Sequence, residues 1–252
     1  MAEVIKEAAG VFMGRTLIQQ SGSIGGAKHV FVRFDDAYGD LLPFPFGAQV
    51  KNPFKGAARF FAGDLIEMRY DDKVENPEMY ILKTYEVVSA EGTTVNIVRD
   101  GYHHIPFVGD ILTVAPDTIG GKGEALTVIA VAKGTADSKN VWALTLAAAP
   151  STAPNAGDIL VEADAEGNMV VKNVNAVADC DYDFLFNPAA DPSDDDEFEK
   201  ARYFFTPAVG GTMYKYRMSP IPACVEKLNL ANVNGWFRVD ARVKPATLQV
   251  AQ

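Results

Sequence analysis

Gly63-Asp64-Leu65-Ile66, Gly109-Asp110-Ile111-Leu112 and Gly157-Asp158-Ile159-Leu160 are copies of one tetrapeptide, 46 and 48 residues apart. A fourth copy, Gly39-Asp40-Leu41-Leu42, lies out of phase. A glycine followed by an aspartate and two aliphatic residues reads as a turn. The glycine supplies an unusual φ, the aspartate bonds nearby backbone, and the chain is delivered into a buried strand. Two copies carry an aromatic residue at the same offset, Phe61 and Phe107. An apolar hairpin pattern follows each of the first two. One runs from Tyr80 to Val88, turns at Glu91-Gly92 and returns through Val95, Ile97 and Val98. The other runs from Leu126 to Ala132, turns through Gly134 to Asn140 and returns through Val141 to Leu146. Gly63, Asp64, Gly109, Asp110, Gly157 and Asp158 are therefore the expected turn residues of a repeated β unit. Two arrangements satisfy this pattern: one barrel per unit, or one sheet shared by both.

Outward from the repeats, most segments also read as strands. Asp100-Gly101, between Val95–Arg99 and Tyr102–Ile105, has the composition of a two-residue type I′ hairpin loop. Glu166-Gly167-Asn168 turns Ile159–Ala163 back into Met169–Val174. Phe237, Val239, Ala241 and Val243 alternate with Arg238, Asp240, Arg242 and Lys244, which predicts an antiparallel strand with one wet face. Thr212, Tyr214, Tyr216 and Met218 alternate with polar residues in the same way. Helix is confined to Glu3–Phe12 and Ala223–Leu230, and strand–helix alternation is missing. The expected class is mainly β: antiparallel barrel or sandwich units, an extended N-terminal arm and little helix.

Two segments stand apart. Residues 41–61 hold Pro43, Pro45 and Pro53 together with Phe44, Phe46, Phe54, Phe60 and Phe61. The prolines disfavour helix and central strand, so the phenylalanines are expected to lie on a larger surface, in this chain or a neighbouring subunit. Residues 187–200 carry Asp191, Asp194, Asp195, Asp196, Glu197 and Glu199 without the spacing or central glycine of a calcium loop, and read as a solvated acidic loop. Its flanks, Tyr182–Phe186 and Tyr203–Phe205, are strand-like and suited to a hairpin. The expected organisation is an N-terminal segment and arm over 1–62, a β domain over 63–156, and a C-terminal β region over 157–252.

The 252 residues carry 23 Lys+Arg against 33 Asp+Glu, a net charge of -10 that disfavours nucleic acid and anionic membranes as partners. Cys180 and Cys224 are too few for a disulfide framework or a four-thiolate zinc site. Neither a signal peptide nor a long apolar run is recognisable, which predicts synthesis and folding in a cytosol. Gly22-Ser23-Ile24-Gly25-Gly26 lacks the first glycine of a nucleophile elbow. Gly120-Gly121-Lys122-Gly123 lacks the hydroxyl residue of a phosphate loop. His103 and His104, adjacent on a predicted strand, would point to opposite faces and share no metal. His29 has no partner that spacing singles out. No catalytic, cofactor-binding or metal-binding residue is expected, and no enzyme.

The flexible lead-in, the Pro/Phe-rich arm and the Gly-Asp-Ile-Leu units are followed by Leu160-Val161-Glu162-Ala163 closing on residues Val170 to Val177. Together they resemble the decoration, or head auxiliary, proteins of tailed bacteriophages, most of all those of crAss-like phages. The resemblance covers about residues 15 to 186 and rests on turn-plus-strand signatures. It implies a structural virion protein on the outside of the head, bound to the major capsid protein and stabilising contacts between its subunits. Other head or fibre proteins and self-association are further candidate partners. On this reading Phe44, Phe46, Phe54, Phe60 and Phe61 are the capsid-interface residues, and the protein moves from the host cytoplasm to the virion surface. The alternative is a head-fibre base or host-glycan-binding surface protein, for which Tyr203, Tyr214 and Tyr216 are the candidate stacking residues.

Overall fold

The structure, a computed structural model of the chain, describes residues 42–43, 48–52, 59–69, 78–100, 103–178, 182–183, 204–205, 207–214, 218–226 and 237–240. Its strands are β1 (Leu42–Pro43), β2 (Ala48–Val50), β3 (Arg59–Phe60), β4 (Leu65–Arg69), β5 (Glu78–Ile81), β6 (Thr84–Glu91), β7 (Thr94–Val98) and β8 (Ile111–Val114). There follow β9 (Leu126–Ala136), β10 (Lys139–Leu146), β11 (Ile159–Glu162), β12 (Ala176–Val177), β13 (Tyr182–Asp183), β14 (Phe204–Phe205), β15 (Ala208–Tyr214) and β16 (Phe237–Asp240). One short helix, α1 (Ala223–Glu226), is described. The described chain is mainly β, as its alternating pattern requires.

Six strands close into a barrel in the order β10-β7-β6-β11-β8-β9, every neighbouring pair antiparallel. The two repeated units thus share one sheet, closed into a single barrel, rather than forming a barrel each. They interlock, with hairpins β6–β7 and β9–β10 joined by β8 and β11, which pair with each other. β11 closes the barrel although it lies beyond residue 156. In β7, Val95 and Ile97 point inward and are fully buried, while Thr94, Asn96 and Val98 are more exposed. Tyr85, Val87, Leu112, Leu126, Val128, Leu144, Leu146 and Leu160 complete the interior.

A second apolar cluster lies outside the barrel and includes Leu65, Leu82, Val161, Met169, Val171, Val177, Met218 and Val225. β11 separates the two. Leu160 packs into the barrel and its neighbour Val161 into the outer cluster, both without solvent exposure. A strand buried on both faces needs a continuous apolar run, which is why Ile159-Leu160-Val161 does not alternate. The outer cluster is bordered by a mixed sheet in the order β1-β15-β12-β4-β5-β2-β14, with β16 also on β15. β13 and β3 form a separate pair.

The Gly-Asp copies make one turn three times. Gly63, Gly109 and Gly157 have φ of 87°, 87° and 88°, the left-handed value that glycine adopts without a Cβ penalty. The N–H of Asp64, Asp110 and Asp158 donates to the carbonyl three residues earlier, on Phe61, Phe107 and Asn155, at 3.0, 3.1 and 3.0 Å. With the positive φ at the third residue, these are type II turns. Each turn docks on a distant residue through two backbone bonds. Gly63 N–H donates to Ala178, Gly109 N–H to Val128 and Gly157 N–H to Val87, all at 2.8 Å. The N–H groups of Ala178, Val128 and Val87 return bonds to the carbonyls of Asp64, Asp110 and Asp158 at 2.9, 2.8 and 2.8 Å. The register slips at Val88 in β6 and at Ile129 in β9, one residue beyond each barrel docking point. The repeat therefore extends to its bulges.

Several local expectations change. The apolar run from Tyr80 to Val88 is two strands, because the chain turns a corner at Leu82-Lys83: β5 pairs with β4 and β6 enters the barrel. The broad turn over Gly134–Asn140 narrows to Asp137-Ser138, with φ of 48° and 62°, because Lys139 and Asn140 continue the ladder opposite Ala136 and Thr135. No strand returns after Asp100: β6 and β10 occupy both edges of β7, and residues 103–110 contain no strand. After Gly167, only Met169 bridges back to Ala163 before the chain leaves the ladder. β16 pairs with β15 in parallel rather than antiparallel fashion; its expected continuation over 241–244 lies outside the described residues. Among the described residues, the flanks of the acidic segment pair elsewhere rather than with each other. Tyr182 lies opposite Phe60, and Phe204 opposite Gln49. The N-terminal helix at Glu3–Phe12, the Gly39-Asp40 copy, the acidic segment 187–200 and Cys180 lie outside the described residues, whereas Cys224 is buried in α1.

Candidate functional site

The aspartate side chains repeat the turn geometry as faithfully as the backbone. Oδ2 of Asp64, Asp110 and Asp158 accepts the N–H of Phe61, Phe107 and Asn155 at 2.9, 2.8 and 2.7 Å. Their surroundings differ. Asp64 is completely buried, Asp110 is 8% exposed, and the Asp158 bond lies in solvent.

Asp64 is also the hub of a buried cluster that joins residues far apart in sequence. Its Oδ1 lies 2.8 Å from His104 Nε2 and accepts the Ser219 hydroxyl at 3.0 Å. Thr84 N–H donates to His104 Nδ1 at 2.9 Å, so that nitrogen is the acceptor and Nε2 carries the hydrogen donated to Asp64. Serine, histidine and aspartate thus meet without the wiring of a nucleophilic triad, in which the imidazole lone pair must face the hydroxyl. Here the lone pair faces backbone, and the hydroxyl bonds the carboxylate. Ser219 Oγ is 3.4 Å from the same Nε2. The cluster clamps the first Gly-Asp turn and the start of β6 to the chain preceding α1. Phe61 and Tyr85 flank the imidazole, with ring centroids 6.1 and 6.2 Å away.

His103 diverges from its neighbour, though on an irregular segment rather than a strand. Its Nδ1 is 2.7 Å from Asp100 Oδ1 and its Nε2 is 3.4 Å from Glu86 Oε2. Burial opposes its positive charge, but hydrogen bonds and attraction from Asp100 and Glu86 prevail and raise its pKa to about 9. The bond to His103 in turn holds the Glu86 carboxyl below its ordinary value. Neither the His104–Asp64 nor the His103–Glu86 pairing is legible from sequence spacing. The Asp100 contact alone is local, since its Oδ1 also accepts His103 N–H at 3.0 Å.

Two more carboxylates tie separate segments together. Lys83 Nζ meets Glu162 Oε1 at 2.8 Å, and Asn52 Nδ2 donates to Glu162 Oε2 at 2.6 Å. Glu67 Oε2 accepts from Arg69 at 2.8 Å and from Lys172 N–H at 2.7 Å. A shallow open cleft of about 390 Å³ lies beside β8, bordered by Thr113, Glu124, Ser151 and Asn155. Of its two carboxylates, Asp158 accepts the Asn155 N–H, and Glu124 is engaged by Ser151, whose hydroxyl and N–H hold it below the ordinary value. Among the described residues, no group of three or more His, Cys, Asp or Glu side chains is placed to hold a metal ion.

Of the expected interface residues, Phe44, Phe46 and Phe54 lie outside the described residues. The Phe60 backbone pairs with Tyr182 in β3, and Phe61 is half-buried against His104. Of the three tyrosines, Tyr203 and Tyr216 lie outside the described residues and Tyr214 is described as backbone in β15. The described surface has a different apolar feature. Ile105, Val108 and Ile129 are exposed by 38%, 59% and 52%. Val108 precedes Gly109 and Ile129 follows Val128, the two residues joined by the second docking turn, so both sit at one barrel rim. Among the described residues, no helix is long and apolar enough to cross a membrane. No protein-family model, curated protein or solved structure matches the chain.

Proposed function

We propose that the chain is a structural virion protein that binds the outer surface of a phage capsid and stabilises contacts between subunits of the major capsid protein. The observation carrying this reading is the apolar rim at Val108 and Ile129, beside a barrel whose interior is filled by its own side chains. Such a rim favours binding by a covered surface rather than in a cavity. The buried ionisable groups at Asp64, His104 and Lys83, and the half-buried Glu162, bond one another and backbone, a use consistent with a scaffold. The Pro/Phe-rich segment 41–61 adds aromatic side chains of the kind that dominate interface energetics. The protein is made in the host cytoplasm and works on the virion.

The test is co-sedimentation with empty phage heads. Wild type is expected in the head fraction. Val108→Asp/Ile129→Asp is expected to lower the bound fraction at least tenfold with an unchanged melting temperature, and Phe44→Ala/Phe46→Ala/Phe54→Ala to release the protein as well. Wild type remaining in the supernatant overturns the reading.

A further inference from the structure

The two barrel hairpins are equivalent at their bases and unequal at their tips. β6 and β7 have eight and five residues, whereas β9 and β10 have eleven and eight. The added length carries β9 past β8, which pairs only with Leu126 and Thr127. β10 remains paired with β7 over Val141–Thr145, and Arg99 N–H donates to Asn140 at 3.0 Å. Among the described residues, the far edge of β9 is consequently open.

The register identifies its free groups. Leu146 N–H donates to Thr93 and Arg99 N–H to Asn140, so Asn140, Trp142, Leu144 and Leu146 direct their backbone groups toward β7. The intervening residues of β10 bond β9 through Ala130, Ala132, Gly134 and Ala136. Val131, Lys133 and Thr135 must then turn their N–H and C=O away from β10. Among the described residues nothing receives them. The apolar rim continues onto this edge. Val88, the bulge residue of the first hairpin, is 5% exposed, whereas its counterpart Ile129 is 52% exposed.

Charge selects the occupant. The tip of the β9–β10 hairpin carries Lys133 and Lys139 against Asp137, in a chain of net charge -10. Arg99 Cζ and Lys133 Nζ lie 5.5 and 5.7 Å from the centre of the Trp142 ring. Lys133 is the middle residue of the open trio. A second copy pairing antiparallel about that residue would set lysine opposite lysine, whereas a carboxylate there would form a cross-strand pair. We propose that the open edge of β9 takes up an extended segment of a partner protein as an added strand, with an acidic residue facing Lys133. This rests on the surface-binding reading and specifies how that surface is used.

The probes are two short blocked peptides of alternating valine and threonine, one with aspartate and one with lysine at the centre. They are titrated into the full chain and followed by amide signals and hydrogen exchange. The aspartate peptide is expected to bind at least tenfold more tightly and to protect the amides of Val131, Lys133 and Thr135. Lys133→Pro removes one open N–H without breaking a bond to β10, and is expected to weaken binding at least tenfold. Lys133→Ala keeps the N–H and is expected to lose the preference between peptides. Equal affinity for both peptides, no binding, or protection elsewhere overturns the proposal. So does self-association through this edge, seen by sedimentation and abolished by Lys133→Pro. These measurements use no phage heads, so their failure is distinct from failure to bind heads.

Discussion

Alanine at the aspartate of each Gly-Asp turn places one local geometry in three degrees of burial. Every substitution removes the acceptor for an N–H three residues back. At Asp158 water can replace that bond, so the loss should be about 1 kcal/mol. At Asp64 the same change also leaves the buried His104 Nε2–H and the Ser219 hydroxyl without their acceptor. Each unsatisfied buried donor costs about 1–3 kcal/mol, and breaking a buried charged network costs about 3–5 kcal/mol. Asp64→Ala is therefore expected to lose about 3–5 kcal/mol, and Asp110→Ala an intermediate amount. Urea unfolding followed by tryptophan fluorescence, with unchanged m-values, measures the series. Ser219→Ala, which removes one donor and leaves the carboxylate bonded to His104 and Phe61, should cost about 1 kcal/mol. Equal losses at Asp64 and Asp158, within about 0.5 kcal/mol, would refute the assignment of Asp64 as a hub.

His103 predicts a pH dependence. Its folded pKa of about 9 exceeds the ordinary 6.5, so its contribution is fully present below pH 6.5 and fades as pH rises through 9. Urea midpoints should fall across that window in wild type and change less in His103→Gln. Tyr85 has a fully buried hydroxyl with no hydrogen-bond partner among the described residues, so Tyr85→Phe should raise stability by about 1 kcal/mol, read by thermal unfolding. Gly157→Ala places its Cβ in open space and should cost about 1–2 kcal/mol from φ alone. Gly167→Ala combines φ of 84° with a collision against the Gly123 carbonyl, and should be the more destabilising of the two by the same assay.

The β class and the Gly-Asp turns are legible in the residues alone. The two apolar hairpins, β6–β7 and β9–β10, are legible there as well. These depend on residues within a few positions of one another: a positive φ asks for glycine, an aspartate three residues on reaches the turn's first N–H, and alternation assigns faces. Partner choice is different. The pattern that makes Phe237–Asp240 a strand is the same for a parallel or an antiparallel neighbour, and only its place beside β15 decides. The interlocking of the two units and the burial of β11 on both faces likewise arise when distant apolar surfaces meet, and β9 is open because it outruns β8. The Asp64–His104–Ser219 cluster spans separations of 40 and 115 residues, so no local spacing announces it. Tertiary structure alone also makes the three aspartates unequal, because an identical turn is buried in one packing environment and left in water in another.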